Sequence, residues 1–190
     1  PRTFLGLYNL EELNLAFSSN IASSQGKVDF SAKFLGLDKL RILNISCALN
    51  SYCEYHDDEY EETIDPNYLK TLLELEELDL SKNSLTEWQD DRFFLNQKLK
   101  RLYLNSNTMH FLTQGLLDSF SRLEVLDISD NKFQCDVFIF KFFNLTLNQP
   151  NLRVLGWDQG NGYQCRNITS TSQTLTFREY YDWYLLNDHE

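Results

Sequence analysis

The chain reads LEELDLSKNSL at Leu75–Leu85, LKRLYLNSNTM at Leu99–Met109 and LEVLDISDNKF at Leu123–Phe133. All three segments fit the pattern LxxLxLxxNxL, and successive segments begin 24 residues apart. Residues two apart lie on one face of a strand, so the pattern predicts a short strand that buries its leucines and exposes the residues between them. The constant interval predicts one structural unit stacked three times.

A period of about 20–29 residues with this spacing is typical of leucine-rich repeats. One coil cannot bury its own leucines, so each coil needs a neighbour on either side. Asn83, Asn107 and Asn131 follow the strands, where an amide can bond backbone groups of the neighbouring coil. We expect an α/β leucine-rich-repeat solenoid with parallel strands on its concave face, an irregular convex side and a disulfide-stapled C-terminal cap.

Weaker copies of the pattern extend the array in both directions. Upstream, Leu10–Leu15 (LEELNL) and Leu40–Ile45 (LRILNI) keep the leucine spacing without the asparagine at its offset. Downstream, Leu152–Trp157 (LRVLGW) keeps the strand pattern, and Gly160 replaces the asparagine. Five repeats also have an apolar residue six positions before their first leucine. We expect these residues to close the core on the convex side: Phe4, Phe34, Leu69, Phe93 and Leu117.

The composition fits one continuous core. Of the 190 residues, 42% are hydrophobic and 14% are aromatic, which is enough to bury a core without a second domain. No stretch approaches the ~18 consecutive apolar residues of a membrane span. Because Pro1 falls inside a repeat, we expect no signal peptide here and expect the natural protein to continue upstream. We expect repeats at residues 1–133, with an irregular insertion at 47–68, and a C-terminal cap and juxtamembrane tail at 134–190.

The segment after the third regular repeat has a different pattern. Val137–Leu147 (VFIFKFFNLTL) is intensely apolar, and Asp136 stands where a helix N-cap is expected. Cys135 and Cys165 lie 30 residues apart on either side of it. We predict a helix laid over the last coil and stapled by a disulfide, the alternative being two free buried cysteines. Polar residues fall at i, i+3 and i+7, on one helical face: Lys141, Asn144 and Asn148.

The end of the chain resembles the C-terminal cap of Toll-like receptor ectodomains. The resemblance is specific over residues 123–186, in an N-x-F-x-C motif, an apolar helix, a W-D…Y-x-C segment and a Ser/Thr-rich tail. The matching positions are Asn131, Phe133, Cys135, Trp157, Asp158, Tyr163 and Cys165. The family cap has C-x-C and four cysteines, whereas this chain has Val137 at the second position and no cysteine after Cys165. Only the first family disulfide can therefore form.

The resemblance implies a membrane-proximal piece of an innate immune receptor. Such a piece lies on the extracellular side of a single-pass membrane protein, at the cell surface or in an endosome. A membrane helix and an intracellular signalling domain would follow it. The partners would be a second receptor chain, in a homodimer or heterodimer, and a microbial or protein ligand shared with upstream repeats. The alternative is a secreted or cell-surface adhesion or matrix protein that uses the same cap to end its solenoid and does not signal.

We expect this fragment to work as a protein–protein contact module, with dimer contacts on a lateral face of the last repeats and the cap. Aromatic residues are enriched at protein interfaces. The candidates in this region are Tyr163, Tyr180, Tyr181, Trp183 and Tyr184. The alternative is that the segment Arg178–Leu186 packs on the cap as a final helix or strand.

Three N-x-[ST] sequons are consistent with export through the secretory pathway: Asn44, Asn144 and Asn167. Together with the capping cysteines they favour an extracellular location. Asn44 lies between the inward-facing Leu43 and Ile45, so we predict that it lies on the concave face. A glycan there would occupy the surface beside the second repeat.

The long second repeat contains a concentration of negative charge. Seven of the 28 acidic residues and none of the 17 basic residues lie between Cys47 and Asp65. A solvated loop is one interpretation, and a docking strip for a cationic partner is the other. Tyr60, with acids on both sides, is a candidate for sulfation. We predict a Cys47–Cys53 disulfide at the base of this excursion. EF-hand spacing is missing, and zinc held by Cys47, Cys53 and His56 would lack a fourth ligand.

The residue after the first leucine of each repeat alternates in sign along the array: Glu11, Arg41, Glu76, Lys100, Glu124 and Arg153. Opposite charges on neighbouring coils neutralise each other, so this face lacks the uniform basic strip of a nucleic-acid-binding protein. There is no phosphate loop, no G-x-S-x-G motif and no HExxH motif. We therefore predict no enzyme activity, no cofactor, no metal and no nucleic-acid partner.

Overall fold

The computed structural model describes residues 4–18, 34–49, 69, 71–86, 96–158, 160, 162–167 and 173–187. Within them the strands are β1 (Glu12–Asn14), β2 (Ile42–Asn44), β3 (Glu77–Asp79), β4 (Arg101–Tyr103), β5 (Val125–Asp127), β6 (Arg153–Val154), β7 (Gln164–Arg166) and β8 (Thr174–Thr176). The helices are α1 (Gln114–Phe120), α2 (Val137–Asn148) and α3 (Phe177–Asn187). The acidic excursion, with Cys53, His56 and Tyr60, lies outside the described residues.

The first six strands form one parallel sheet in chain order, from β1 to β6. Each of β1 to β5 comes from the centre of a repeat, where two outward side chains flank one leucine that points into the core. From β2 to β5 these leucines are fully buried and lie opposite one another in register: Leu43, Leu78, Leu102 and Leu126. The predicted α/β leucine-rich-repeat solenoid, with parallel strands along one face, is confirmed.

The last strand of this sheet pairs one residue out of step with the repeat pattern. Alignment of the repeats predicts Leu155 opposite Leu126. The structure instead pairs Leu126 with Val154 and Val125 with Arg153. The chain reaches β6 from the cap helix α2 and not through a short convex turn, so the repeat pattern does not control its register. The regular repeat geometry therefore ends at β5.

The chain leaves the strands of the first five repeats through residues with the same left-handed backbone. In each repeat the residue before the asparagine position has a φ between 50° and 58°, although none is glycine: Phe17, Cys47, Lys82, Ser106 and Asp130. A left-handed conformation costs roughly 1–2 kcal/mol for a residue with a Cβ. It recurs because every coil must turn away from the sheet at the same point.

The asparagine after this turn joins neighbouring coils, as predicted. The Oδ1 of Asn107 accepts the N–H groups of Asn83 (2.9 Å) and Leu85 (3.0 Å) on the preceding coil. Its Nδ2 donates to one carbonyl of its own coil at 2.9 Å and to one carbonyl of the preceding coil at 3.1 Å. Asn131 repeats this arrangement one coil later. The amide ladder therefore satisfies backbone groups that the turns would otherwise leave buried without partners.

The convex side closes the core with the apolar residues predicted there. Phe34, Leu69 and Leu117 are buried. Phe4 is half-buried and stacks on Phe34, with 6.2 Å between the ring centroids. Phe93 lies outside the described residues. Helix α1 contains Leu117, so the convex side of that repeat is helical.

The cap begins with α2. As predicted, Asp136 is its N-cap: the Asp136 Oδ1 accepts the N–H groups of Phe138 (2.9 Å) and Ile139 (3.0 Å). The predicted polar residues of this helix are exposed. The Cys135–Cys165 disulfide joins the start of α2 to β7, with the two Cα atoms 5.0 Å apart. The disulfide-stapled cap is therefore confirmed, and the alternative of two free cysteines is wrong.

The tail forms the last helix of the cap. Strands β7 and β8 make an antiparallel hairpin, and α3 follows directly and packs on α2. Thr176 and Glu179 form a capping box: the Thr176 Oγ1 accepts the Glu179 N–H at 3.1 Å, and the Glu179 Oε2 accepts the Thr176 N–H at 2.8 Å. These hydrogen bonds to Thr176 lower the pKa of the Glu179 carboxyl below its ordinary value.

Candidate interaction surfaces

The exposed face of the sheet is shaped by the residue after each buried leucine. In four of the first five repeats this residue is an asparagine or aspartate whose Oδ1 accepts the N–H two positions further on, at 2.9 to 3.0 Å. Such an Asx turn ends the strand. The N–H donors are Ala16, Ser46, Ser81 and Ser129. We call the acceptors the turn residues: Asn14, Asn44, Asp79 and Asp127.

Tyr103 holds the equivalent position in the remaining repeat. It lies in register between Asp79 and Asp127 on the two neighbouring strands. Partial burial, followed by the negative charge of Glu77, raises the pKa of the Tyr103 hydroxyl above its ordinary value. This part of the sheet face is therefore an aromatic ring with a carboxylate on each side.

Metal ligation and membrane insertion find no support in the part of the chain that the structure describes. No group of three or more His, Cys, Asp or Glu side chains is arranged to hold a metal ion there. Within the same residues, no helix combines the length and the apolar character needed to cross a membrane.

The predicted alternation of charge produces ion pairs along the coils. Arg41 binds Glu76 through two hydrogen bonds, of 3.0 and 3.1 Å, and its guanidinium lies 3.4 Å from the Glu11 carboxylate. Lys100 lies 3.2 Å from Glu124. Hydrogen bonding to Glu76 raises the pKa of Arg41, and the same bond lowers the pKa of Glu76. The side chains are widely exposed to water, so the pairs neutralise the surface without adding much stability.

Among the described residues, the ion pairs of this row end at Glu124. In β6, Arg153 pairs with Val125, and its N–H donates to the Glu124 carbonyl at 2.8 Å as the equivalent residues of the earlier coils do. Within the described ranges, no carboxylate lies at ion-pair distance from Arg153. The sixth residue of the row therefore lies next to the fifth but does not extend the ion pairs among the described residues.

Tyr163 lies in the core of the cap, so the prediction of a surface position is wrong. Its side chain is 3% exposed, and its ring packs edge-on against Trp157 and Phe177, with centroids 5.4 and 5.6 Å away. Its hydroxyl donates to the Leu155 carbonyl at 2.6 Å and accepts the Ile128 N–H at 3.3 Å. Burial raises the pKa of this hydroxyl far above its ordinary value. Tyr163 therefore ties the cap to the last regular coil.

Three of the other aromatic candidates lie on the inner face of α3. Tyr180 is 6% exposed, so its predicted surface position is also wrong. Tyr181 and Tyr184 are half-buried and stack on Phe140 of α2, with ring centroids 4.8 and 4.4 Å away. Counted from Phe177, the three tyrosines fall at i+3, i+4 and i+7, the spacing of an inward helical face. Aromatic content alone does not distinguish buried tyrosines from exposed ones, whereas this helical spacing in the sequence does.

Helix α3 also exposes three large apolar side chains. Trp183 is 44% exposed, Leu185 is 48% exposed and Leu186 is 79% exposed. The Trp183 ring also stacks on Tyr180, with 5.8 Å between centroids, so its position is fixed from below. Only Trp183 is among the predicted contact residues. The two leucines were missed, although the helical period that turns the tyrosines inward turns Leu186 outward. Trp183 and Leu186 are three positions apart and share one side of the helix, and we call these two residues the α3 outer patch.

The predicted modification sites are described in part. Asn44 is a half-buried turn residue, and Asn144 is exposed on α2. Asn167 is half-buried, but the rest of its sequon lies outside the described residues. Cys47 is buried and disulfide-bonded, and its predicted partner Cys53 lies outside them too. Glycosylation, sulfation in the acidic excursion and the Cys47–Cys53 pairing therefore stay predictions.

Comparison with known proteins supports the repeat fold. Residues 73–133 match the leucine rich repeat family. No curated protein sequence matches the chain. Among solved structures, a TLR13–ssRNA13 complex is similar over 89% of this chain, with 18% identity and a TM-score of 0.54. An octameric complex of Latrophilin 3, Unc5D and FLRT2 is similar over 90%, with 22% identity and a TM-score of 0.51.

A third similar structure is human 5T4, also called Wnt-activated inhibitory factor 1 or trophoblast glycoprotein. It is similar over 64% of this chain, with 24% identity and a TM-score of 0.49. The chain spans 30%, 53% and 42% of the three matched chains, so it is shorter than each of them. At these identities the likeness concerns the fold alone.

Proposed function

We propose that this chain is part of a Toll-like receptor ectodomain and that its cap contacts a second receptor chain, in a homodimer or a heterodimer. Residues 1–133 supply the repeats, and residues 134–190 supply the cap and a juxtamembrane tail. The protein acts as a scaffold for protein contact. It lies on the extracellular side of a single-pass membrane protein, a location that the disulfide-closed cap supports.

The α3 outer patch is the observation that carries this proposal. Trp183 and Leu186 are three positions apart on one helix, so both side chains are presented on the same side. Tryptophan is enriched among the residues that dominate binding energy at interfaces, and adjacent exposed apolar side chains are typical of contact sites. The charges of the row from Glu11 to Glu124, by contrast, are already paired within the chain. The apolar surface at the cap end is therefore the better place for a second chain to bind.

The ligand of such a receptor is shared, in this proposal, with repeats upstream of this chain. It is a microbial or a protein ligand. The TLR13 structure contains an RNA, but we do not extend RNA binding to this chain. Binding of a phosphate backbone relies on clustered Lys and Arg side chains, which release counterions from the nucleic acid. In this chain the basic residues Arg41 and Lys100 are each paired with a carboxylate.

A second candidate function is adhesion without signalling. It is favoured by the similarity to the complex that contains FLRT2, which is an assembly of several different proteins. The two candidates predict different segments after this chain in the full-length protein. A span of about 20 apolar residues followed by an intracellular signalling domain favours the receptor. A secreted end, or an anchor without a signalling domain, favours the adhesion protein.

The contact is tested with charge substitutions in the full-length protein on cells. We expect Trp183→Glu and Leu186→Glu to reduce association of two differently tagged copies, measured by energy transfer between the tags, at unchanged surface expression. Leu73→Glu is the matched control, because Leu73 is 53% exposed but lies on the repeats and not on the cap. Undiminished association of both α3 variants would reject the contact and leave α3 as a capping element only.

A further inference from the structure

The asparagines of the repeats fall into two classes according to the side-chain atoms that the fold uses. Ladder asparagines such as Asn107 use both atoms, because Oδ1 accepts N–H groups while Nδ2 donates to carbonyls. The turn residue Asn44 uses only Oδ1, which accepts the Ser46 N–H at 2.9 Å. Its Nδ2 has no hydrogen-bond partner among the described residues. An N-linked glycan is attached to Nδ2, so only the second class can carry one without losing bonds between coils.

The sequons of the chain follow this division. Asn44 is followed by Ile45 and Ser46, which completes N-x-[ST]. The ladder asparagine Asn107 is followed by Thr108 and Met109, so it is not a sequon. Asn83 and Asn131 lack the hydroxyl residue at the required position as well. No ladder asparagine of the three regular repeats is therefore exposed to glycosylation, whereas one turn asparagine is.

The position of Asn44 places an attached glycan on the sheet face and not in the core. In β2 the buried side chain is Leu43, and Asn44 lies on the opposite face of the strand. Its register partners on β1 and β3 are Asn14 and Asp79, which are small polar turn residues. Neighbouring strands are only about 4.8 Å apart, so a sugar chain on β2 also covers the strands on either side.

We infer that Asn44 is an N-glycosylation site whose glycan covers the exposed sheet face over β1 to β3. The consequence for binding rests on the proposed function. A partner that docks on the sheet face is restricted to the part around Tyr103 and β5, and the α3 outer patch stays accessible. The glycan thus directs protein contact toward the cap half of the molecule.

The repeats themselves supply conservative variants for a test. Asn44→Asp keeps the turn, because Asp79 and Asp127 make the same hydrogen bond in their own repeats. Ser46→Ala also keeps it, because Ala16 donates the equivalent N–H in the first repeat. Both changes remove the sequon. Asn14→Asp is the control, since it makes the same change at a turn residue that is not part of a sequon.

The chain is secreted from an animal cell line behind a cleavable leader and treated with an N-glycosidase in heavy-oxygen water, which labels each glycan-bearing asparagine as it is converted to aspartate. We expect the Asn44 peptide to be labelled. We also expect the intact mass to fall by one glycan in Asn44→Asp and Ser46→Ala but not in Asn14→Asp. An unlabelled Asn44 in the secreted protein overturns the inference, whether or not Asn144 is labelled. Because the assay does not require association of two chains, its failure leaves the proposed contact at α3 untouched.

Discussion

One residue, Tyr163, joins the cap to the repeats through its side-chain hydroxyl. It accepts a backbone N–H from the last regular coil and donates to a carbonyl of the coil that follows β6. In the regular coils the equivalent N–H donates directly to a carbonyl of the next coil, as that of Leu104 does to Asp127 at 2.7 Å, whereas that of Ile128 donates to the tyrosine hydroxyl. The tyrosine therefore bridges a place where the repeat pattern fails.

Replacing Tyr163 by Phe keeps the ring in place and removes only this bridge. Two buried backbone groups then lose a partner, so we expect the free energy of unfolding in urea to fall by about 1–3 kcal/mol. Tyr8→Phe is the control, because Tyr8 is 54% exposed, and we expect it to change stability by less than about 0.5 kcal/mol. Equal stability of the two variants would show that the hydroxyl does not hold the cap.

The two uses of asparagine can be compared with one type of substitution. In Asn107→Asp the carbonyls of Leu80 and Leu104 each lose one of two amide donors, and a carboxylate is turned toward them. We expect this variant to lose about 2 kcal/mol or more in the free energy of unfolding. In Asn14→Asp the turn needs only an acceptor, so we expect a change within about 0.5 kcal/mol. Similar losses in the two variants would contradict the distinction between ladder and turn asparagines.

Helix α3 illustrates, at the scale of the element, how local signals fix one end of the cap. The capping box of Thr176 and Glu179 satisfies backbone donors at the start of the helix. The inward tyrosines then attach the helix to α2 through stacked rings. The cap helix is thus set by its first turn and by one aromatic face, which leaves the opposite face free for contact.

The capping box makes the stability of the cap depend on pH. The pKa of Glu179 is lower in the folded chain than its ordinary value of 4.5. Its stabilising contribution is therefore present above that value and is lost as the pH falls through the lower, folded value. We expect acid to destabilise the wild type more than Glu179→Gln, in urea unfolding at pH 7 and at pH 3. An identical loss in both proteins would show that Glu179 contributes nothing in its ionised form.

Thr176 provides an independent test of the same helix start. Thr176→Ala removes the N-cap acceptor, and we expect it to lower the free energy of unfolding by about 1 kcal/mol. Thr174→Ala, in an exposed position of β8, is the control for loss of a threonine from the same segment. A Thr176 variant no less stable than this control would mean that the aromatic face alone holds α3.

Local sequence patterns predict some features of the elements and not others. The strands β1 to β5, the amide ladder and the start of α2 follow local patterns, so they could be predicted from Leu, Asn and Asp positions. The inward face of α3 and its T-x-x-E capping box are also local patterns, and the helical period places Tyr184 and Leu186 on opposite faces. The register of β6 is different. It depends on how the chain returns from α2 to the sheet, and no pattern in the segment LRVLGW indicates that path.

In the whole molecule, the paired charges, the inferred glycan site and the exposed apolar side chains lie on different parts of the surface. The charges of the row from Glu11 to Glu124 are paired, the sheet face over β1 to β3 carries the inferred glycan site, and Trp183 and Leu186 are exposed on α3. The burial of Tyr163 could not be predicted from composition, because the same residue type serves as an interface anchor and as a core bridge. These features together leave the cap end as the part of the described molecule best suited to contact another chain.

Disulfide trapping tests this contact most directly. Leu186→Cys places a thiol at the most exposed position of the α3 outer patch, and Leu73→Cys places one at a comparable exposed position on the repeats. Each variant of the full-length protein is displayed on cells and mildly oxidised, and the covalent dimer is measured on non-reducing gels. We expect Leu186→Cys to form the dimer and Leu73→Cys not to form it. A monomeric Leu186→Cys, or equal dimer in both variants, would contradict a receptor contact made by the cap.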